Sequence, residues 1–422
     1  MSRKSLLGVL FVGACASATP QPVAFAAPEG CPSVADLMPA GESGIREAVR
    51  YLADDALGGR LAGSEGERCA AAYIAYRMAR AGLEPGGANA WYSEVALASV
   101  VNPHAPTGRG NNVIGVLEAG DANAPVIVIG AHYDHLGMGE FGSLSTTRAI
   151  HNGADDNASG VAALLAVAER LAADRPDANV VFIAFTGEES GLLGSARYVA
   201  EPSVPLDRMA AMINMDMVGR LRDQPLIVNG VGTAEEWTAL VDEAAREVGV
   251  PITTDPDGYG PSDQTSFYSR DIPVLHLFTN VHGEYHKPED DWQLIDFDGI
   301  ERVADMVAEI VDEMEDDRLT LVRQAPPAPV AGSASRTWLG TVPDFAPVDH
   351  GVRISGVSAG SPAEAAGLQA GDIVVKLGEH EIGDLYALTD ALRAYQPGDV
   401  VDVTVLRDGA SITRSVTLGA RQ

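Results

Sequence analysis

Seven side chains in this sequence are of types that bind a metal ion or move a proton, and each sits where an apolar run meets a loop. His132 and Asp134 follow the β-branched run Val126 to Ile129, and Glu188 and Glu189 follow Val180 to Phe185. Asp216 ends Met209 to Met215, and His286 lies in the loop after Pro273 to Phe278. Asp155, with Asp156 beside it, opens a helix that is apolar on one side. Singly, each is ordinary: a lone histidine is usually a satisfied core or surface group, paired aspartates often cap helices, and adjacent glutamates often make a solvated turn. Asp216, inside AAMINMDMV, is harder to dismiss, because a buried carboxylate costs several kcal/mol unless paired or metal-bound. Together, imidazoles and carboxylates without cysteine suit Zn²⁺ in an open, catalytic site.

The elements that must position them alternate between strand and helix. Strands are expected at Val113 to Leu117, Val126 to Ile129, Val180 to Phe185, Met209 to Met215, Leu226 to Val228 and Pro273 to Phe278. Helices are expected at Ile45 to Leu57, around Ala71 to Ala81, at Ala158 to Ala173, Leu193 to Val199, Trp237 to Val248 and Ile300 to Met314. GGRLAGSEGE, between the first two helices, reads as a loop. This alternation predicts α/β architecture with a largely parallel sheet, whose carboxyl strand ends form a crevice. Residues spread over roughly 150 positions would converge there.

Past residue 318 the pattern changes. Residues 319–335, including APPAPVAGSAS, have a linker composition, and 336–422 read as a separate β-rich domain. In it, Ser361-Pro362-Ala363-Glu364 starts a short helix, Leu385 to Tyr395 reads as a second one, and Asp408-Gly409 makes a hairpin turn.

The segments GAHYDH, NGADDNASG, TGEES, INMDMVG and EYHKPEDD, in this order between about residues 45 and 316, resemble the co-catalytic zinc aminopeptidases of the bacterial leucyl and yeast vacuolar type. The resemblance implies a three-layer α/β/α domain around a mixed, mostly parallel eight-stranded sheet, without the protease-associated insert that many relatives carry. It implies two zinc ions: one on His132 and Asp216, the other on Glu189 and His286, with Asp155 bridging. It makes Glu188 the general base and Asp134 the acceptor of a hydrogen bond that holds the His132 tautomer. It puts a cis peptide bond between Asp155 and Asp156. Apart from the resemblance, the loop Asp257 to Ser266, with Tyr259, Ser262 and Asp263, reads either as part of the substrate pocket or as an ordinary polar loop. The C-terminal domain, through SPAEAAGLQAGD, resembles bacterial PDZ domains attached to proteases. TWLGTV (Thr337 to Val342) stands as its carboxylate-binding loop, departing from the usual GLGF.

Composition bounds the partners. A hydrophobic content of 46% with 21% charged residues is that of a globular protein, while a net charge of -30 argues against unaided binding to nucleic acid or an anionic membrane. Arg3 and Lys4 followed by apolar Leu6 to Ala14 read as a signal peptide over 1–26. Ala24-Phe25-Ala26 fits ordinary secretion, and Val12-Gly13-Ala14-Cys15 resembles a lipobox that would lipidate Cys15; the two cleavage readings compete. An exported, periplasmic or extracellular chain would then keep Cys31 and Cys69, an even pair suggesting one disulfide that ties the mature N-terminus, the lead-in 27–44, to a helix beyond it. No later stretch is long and apolar enough for a transmembrane helix. The reading is an exported di-zinc aminopeptidase acting on peptide N-termini, with a PDZ domain that either binds a peptide C-terminus or serves a docking or regulatory role. The rivals are a carboxypeptidase or other amide hydrolase on the same scaffold, a glutaminyl cyclase-like acyl transferase, and a non-catalytic PDZ scaffold.

Overall fold

The computed structural model describes residues 27–420 except 39–41, 99–105, 122, 140, 223, 315–318, 325–336, 344–347, 349, 358–359, 384–386, 389–390 and 393. The expected signal peptide, its two candidate cleavage sites and most of the expected linker lie outside the described residues.

In the first domain the helices are α1 (Val34–Leu37), α2 (Gly44–Leu52), α3 (Glu65–Ala81), α4 (Gly160–Ala173), α5 (Leu193–Ala200), α6 (Trp237–Val248), α7 (Gln264–Tyr268) and α8 (Phe297–Glu313). The strands are β1 (Glu84–Pro85), β2 (Tyr92–Leu97), β3 (Gly108–Leu117), β4 (Val126–His132), β5 (Asn179–Phe185), β6 (Met209–Met215), β7 (Leu226–Asn229), β8 (Ile252–Asp255) and β9 (Val274–Phe278). They form one sheet in the order β1-β3-β5-β4-β6-β9-β7-β8, with β2 also paired to β3. It has nine strands where eight were expected. The central run β5-β4-β6-β9 is parallel throughout, and antiparallel pairs flank it on both sides.

That centre is buried on both faces. Every residue of β4, β5, β6 and β9 is buried, as continuous apolar runs require of a covered parallel sheet. Helices α2, α3, α4, α6 and α8 contribute to the large core on one side, and α5 and α7 pack around Phe185, Tyr198 and Phe267 on the other. Local chemistry sets the helix ends. Ser64 caps α3 by accepting the Glu67 N–H, and Gly82, at φ +91°, ends it in a left-handed turn that glycine adopts without strain. Asp296 caps α8 through the Gly299 N–H. The expected disulfide is present: Cys31 joins Cys69, tying the lead-in to α3.

The chain does not leave this domain at 318. Val322 N–H donates to the Thr233 carbonyl, and Gln324 N–H donates to the Tyr268 hydroxyl, so residues 319–324 stay on the body. The second domain holds β10 (Thr337–Trp338), β11 (Thr341–Pro343), β12 (Val352–Val357), α9 (Pro362–Ala365), β13 (Ile373–Leu377), β14 (His380–Glu381), β15 (Val400–Arg407), β16 (Ala410–Thr417) and β17 (Gly419–Ala420). It has its own core, including Leu339, Ile354, Leu377 and Val403. The expected Ser361 cap is made, with its hydroxyl accepting the Glu364 N–H. Of the expected helix Leu385 to Tyr395, the described part is helical at 387–388 and 391–392.

Candidate metal centre

Because β5, β4, β6 and β9 are neighbours and parallel, the residues that follow them meet at one edge of the sheet. His132 is the last residue of β4; Glu188 and Glu189 follow β5, Asp216 follows β6, and His286 comes back from the loop after β9. One carboxylate joins them. Asp156 places Oδ1 3.3 Å from His132 Nε2 and Oδ2 3.2 Å from His286 Nε2. On one side, Asp216 Oδ1 is 3.3 Å from His132 Nε2; on the other, Glu189 Oε2 is 3.3 Å from His286 Nε2.

The bridging position expected of Asp155 is thus occupied by Asp156. The Asp155 carboxylate turns down into the protein, where Oδ1 accepts the Gly219 N–H at 2.7 Å and Oδ2 lies 3.2 Å from His282 Nε2. The non-proline cis peptide bond is likewise one residue later than expected, between Asp156 and Asn157. The turn is anchored on both flanks. Asp290 Oδ2 accepts the N–H groups of Asp155 and Asp156, at 2.9 and 3.1 Å. The Asn157 side chain donates to the Met215 carbonyl and accepts the Met217 and Gly160 N–H groups.

Asp134 also differs from expectation. Its carboxylate is 3.8 Å from His132 Nδ1, too far for a hydrogen bond; the nearer acceptor is its main-chain oxygen, at 3.2 Å. The carboxylate accepts the Glu188 N–H instead, at 3.1 Å, and so orients the TGEES turn.

His135, a ligand-type side chain after the same apolar run as His132, has no assigned role in the sequence reading, and three further residues escape it. His135 Nδ1 lies 2.8 Å from Glu189 Oε1 and 3.9 Å from Asp156 Oδ2, placing a third imidazole beside the second half of the cluster. The HYDH spacing contained that signal. Asp290 and Arg220 form the support beneath, joined at 3.1 Å. Arg60, in the segment read as a plain loop, is fully buried and donates to the carbonyls of Leu52, Tyr133, Asn152 and Gly153. It fastens both halves of the metal motif to the N-terminal helices. Beside it, Gly59 is at φ +72°, and a Cβ there would lie 2.5 Å from two backbone oxygens. No local pattern marks an arginine whose partners are distant carbonyls.

The donor set fits metal ions. Ligand atoms held tetrahedrally at zinc–nitrogen and zinc–oxygen bond lengths stand about 3.3 Å apart. The four facing pairs above lie at 3.2–3.3 Å. Two groups of converging ligand atoms stand out among the described residues: His132, Asp156 and Asp216, and His135, Asp156 and Glu189. One ligand-type atom here, His135 Nε2, is buried without a hydrogen-bond partner. The electrostatics agree. Burial opposes protonation of His132, yet Asp216, Glu188 and Asp156 hold its pKa well above the usual imidazole range. Burial also opposes ionisation of Glu189, but His286 and His135 pull it down to about 2. A pocket that draws protons onto buried imidazoles draws cations for the same reason.

The cluster lies in a cleft of about 600 Å³. Met217, Phe278 and Val281 form an apolar patch there with Tyr285, whose ring stacks on His286. Asp257, Tyr259, Ser262 and Gln264 of the candidate substrate loop line the cleft, whereas Asp263 is fully buried behind it. Burial pushes Glu188 well above the usual carboxylate range; His132 opposes this, and Asp216 and Glu189 add to it.

Residues 112–311 match peptidase family M28, and residues 340–418 match a PDZ domain. Uncharacterized protein YfbL of Escherichia coli is 30% identical over 226 residues, covering 46% of this chain and 68% of that protein. The chain belongs to peptidase family M28, the zinc aminopeptidase family expected from its motifs. Aminopeptidase YwaD of Bacillus subtilis is 30% identical over 213 residues, which span 48% of this M28 peptidase but 44% of YwaD. A zinc aminopeptidase from Bacillus subtilis has the same fold, with a TM-score of 0.52 at 19% identity over 65% of this chain and 97% of that one. A glutaminyl cyclase from Bacteroides thetaiotaomicron shares it too, with a TM-score of 0.52 at 19% identity over 64% and 96%.

Proposed function

We propose that this M28 peptidase is an exported di-zinc aminopeptidase that removes apolar residues from peptide N-termini, with Glu188 as general base. The supporting observation is the Asp156 carboxylate, which faces His132 with one oxygen and His286 with the other. His132 and Asp216 would hold one ion, Glu189 and His286 the other, with Asp156 between them and His135 beside Glu189. Zinc bound there lowers the pKa of a water to about 7 and polarises the scissile carbonyl. Glu188 takes the proton of the attacking water and returns it to the departing amine. Asp134 fixes Glu188 through its backbone. Met217, Phe278 and Val281 receive an apolar N-terminal side chain, and the surrounding carboxylates favour the substrate's free ammonium. The Cys31–Cys69 disulfide supports export into an oxidising compartment, with either signal-cleavage product.

The test is hydrolysis of leucyl-p-nitroanilide by the full chain, read with zinc content. Activity, two zincs per chain, and loss of activity on chelation or in Glu188→Gln support the reading. A fully zinc-loaded protein that ignores this substrate but cleaves N-blocked peptides or cyclises N-terminal glutamine overturns it.

A further inference from the structure

The cleft that holds the metal centre has a wall from the PDZ domain. Val348, Gly351, Val352, Arg353 and Gly383 line it together with His132, Glu188 and His286. The orientation of the PDZ sheet relative to that wall has a consequence for substrate choice.

β12 starts at the cleft, with Val352 and Arg353, and runs away from it to Val357. Its antiparallel partner β11 pairs Thr341 with Val357 and Pro343 with Ile354. Among the described residues β11 pairs with β12 alone and so ends its sheet. An end strand is open to an added strand. A peptide added antiparallel to β11 runs in the direction of β12, from the cleft outward. Its N-terminal side then lies toward the cleft wall and its C-terminus lies beside Thr341 and the turn before it.

That turn is built to receive a chain end. Gly340 is at φ +84°, and a Cβ there would lie 2.2 Å from Ser361 Cβ. Leu339 is buried in the domain core, and its carbonyl accepts the Ala363 N–H of α9 at 2.9 Å. A glycine turn at the head of an end strand is where the carboxylate of a strand-adding peptide can meet backbone N–H groups.

We infer that the PDZ domain binds the C-terminal carboxylate of the peptide substrate and delivers its N-terminus to the metal centre of the same molecule. This rests on the aminopeptidase reading above and narrows its substrate class to peptides with a free C-terminus that are long enough to span both sites. From Val352 to Val357 an extended chain covers about 17 Å, roughly five residues, before it enters the cleft. Shorter peptides can reach the metal centre but not both sites.

The experiment uses the full chain and leucine-headed peptides of three and twelve residues, each as free acid and as C-terminal amide. The free acid of the long peptide should exceed its amide about five- to tenfold in kcat/KM, mostly through KM, while Gly340→Val should bring that ratio close to one. The three-residue pair should give the same acid-to-amide ratio in wild type and Gly340→Val. A second measurement avoids turnover and any folding defect of the variant: fluorescence anisotropy of the Glu188→Gln chain with N-acetylated twelve-residue acid and amide, where the acid should bind more tightly. Equal kcat/KM for the long acid and amide overturns delivery, and anisotropy then reports whether the groove binds without delivering. If leucyl-p-nitroanilide is not hydrolysed at all, the aminopeptidase reading fails and delivery falls with it, while an acid preference in anisotropy still establishes the groove's polarity.

Discussion

Two buried acidic clusters lie back to back in this protein, and adjacent aspartates divide between them. Facing the cleft, Asp156, Glu189 and Asp216 meet the imidazoles of His132, His135 and His286, with no lysine or arginine paired to them among the described residues. Behind them, Asp155 and Asp290 meet Arg220, His282 and the N–H groups of Gly219, Asp155 and Asp156. The back cluster carries its own fixed cation and backbone donors, so its charge is answered within the chain. Among the described residues the front cluster faces only imidazoles, which carry charge only while protonated, so a cation from outside can take the proton's place. A carboxylate pair is therefore read as structural or metal-binding by what neutralises it rather than by its burial, which is nearly complete in both.

The largest expected effect separates the two neighbours directly. Asp156→Asn should cost zinc and about 10³-fold or more in activity, measured by metal analysis and turnover together. If the variant keeps both ions, the bridging role is wrong. In the back cluster, Arg220→Met leaves Asp290 and Asp155 buried against too little positive charge. It should lower unfolding free energy by about 3–5 kcal/mol in urea titrations. A variant of wild-type stability would show that backbone N–H groups alone neutralise those acids.

Glu67 sharpens the contrast, because among the described residues it joins no candidate metal group and pairs with no arginine. It accepts the Gly63 N–H at 2.7 Å and the Thr186 hydroxyl, and burial pushes its pKa up to about 7. Below the unfolded value of 4.5 it is protonated in both states. As pH rises from there, the unfolded chain loses the proton first, so stability falls, by about 3 kcal/mol in all once pH passes 7. Glu67→Gln should remove that slope and be the more stable protein at pH 8, read from unfolding curves at pH 5 and 8. The smallest effect belongs to Asp155→Asn, whose oxygen can still accept the Gly219 N–H. It should retain both zincs and lose about 1–2 kcal/mol of stability. Loss of zinc there would erase the distinction between the clusters.

Much of this was legible in the chain. Apolar runs marked the strands, and each candidate ligand stood at or after a run's C-terminal end. A parallel centre then brings such ends to one edge, as β5, β4, β6 and β9 do. The PDZ domain announced itself through SPAEAAGLQAGD and its change of strand period. Other features were not legible, each for a local reason. Asp155 and Asp156 are the same residue one step apart in an irregular turn, so no period assigns their directions. His135 could be read as a neighbour of the motif or part of it. Arg60 works through carbonyls as far away in sequence as Gly153, which carry no side-chain signal at all.

The amino-acid sequence by itself determined the residue types of the candidate metal centre, the strand ends that carry them and the two-domain order. These follow from burial patterns and ligand chemistry, which are local. Only the tertiary structure decided that Asp156 rather than Asp155 faces the imidazoles, that Asp134 holds a backbone rather than a histidine ring, and that a PDZ strand begins on the wall of the catalytic cleft. Those depend on backbone direction within a turn and on the packing of distant elements, which spacing along a chain does not encode.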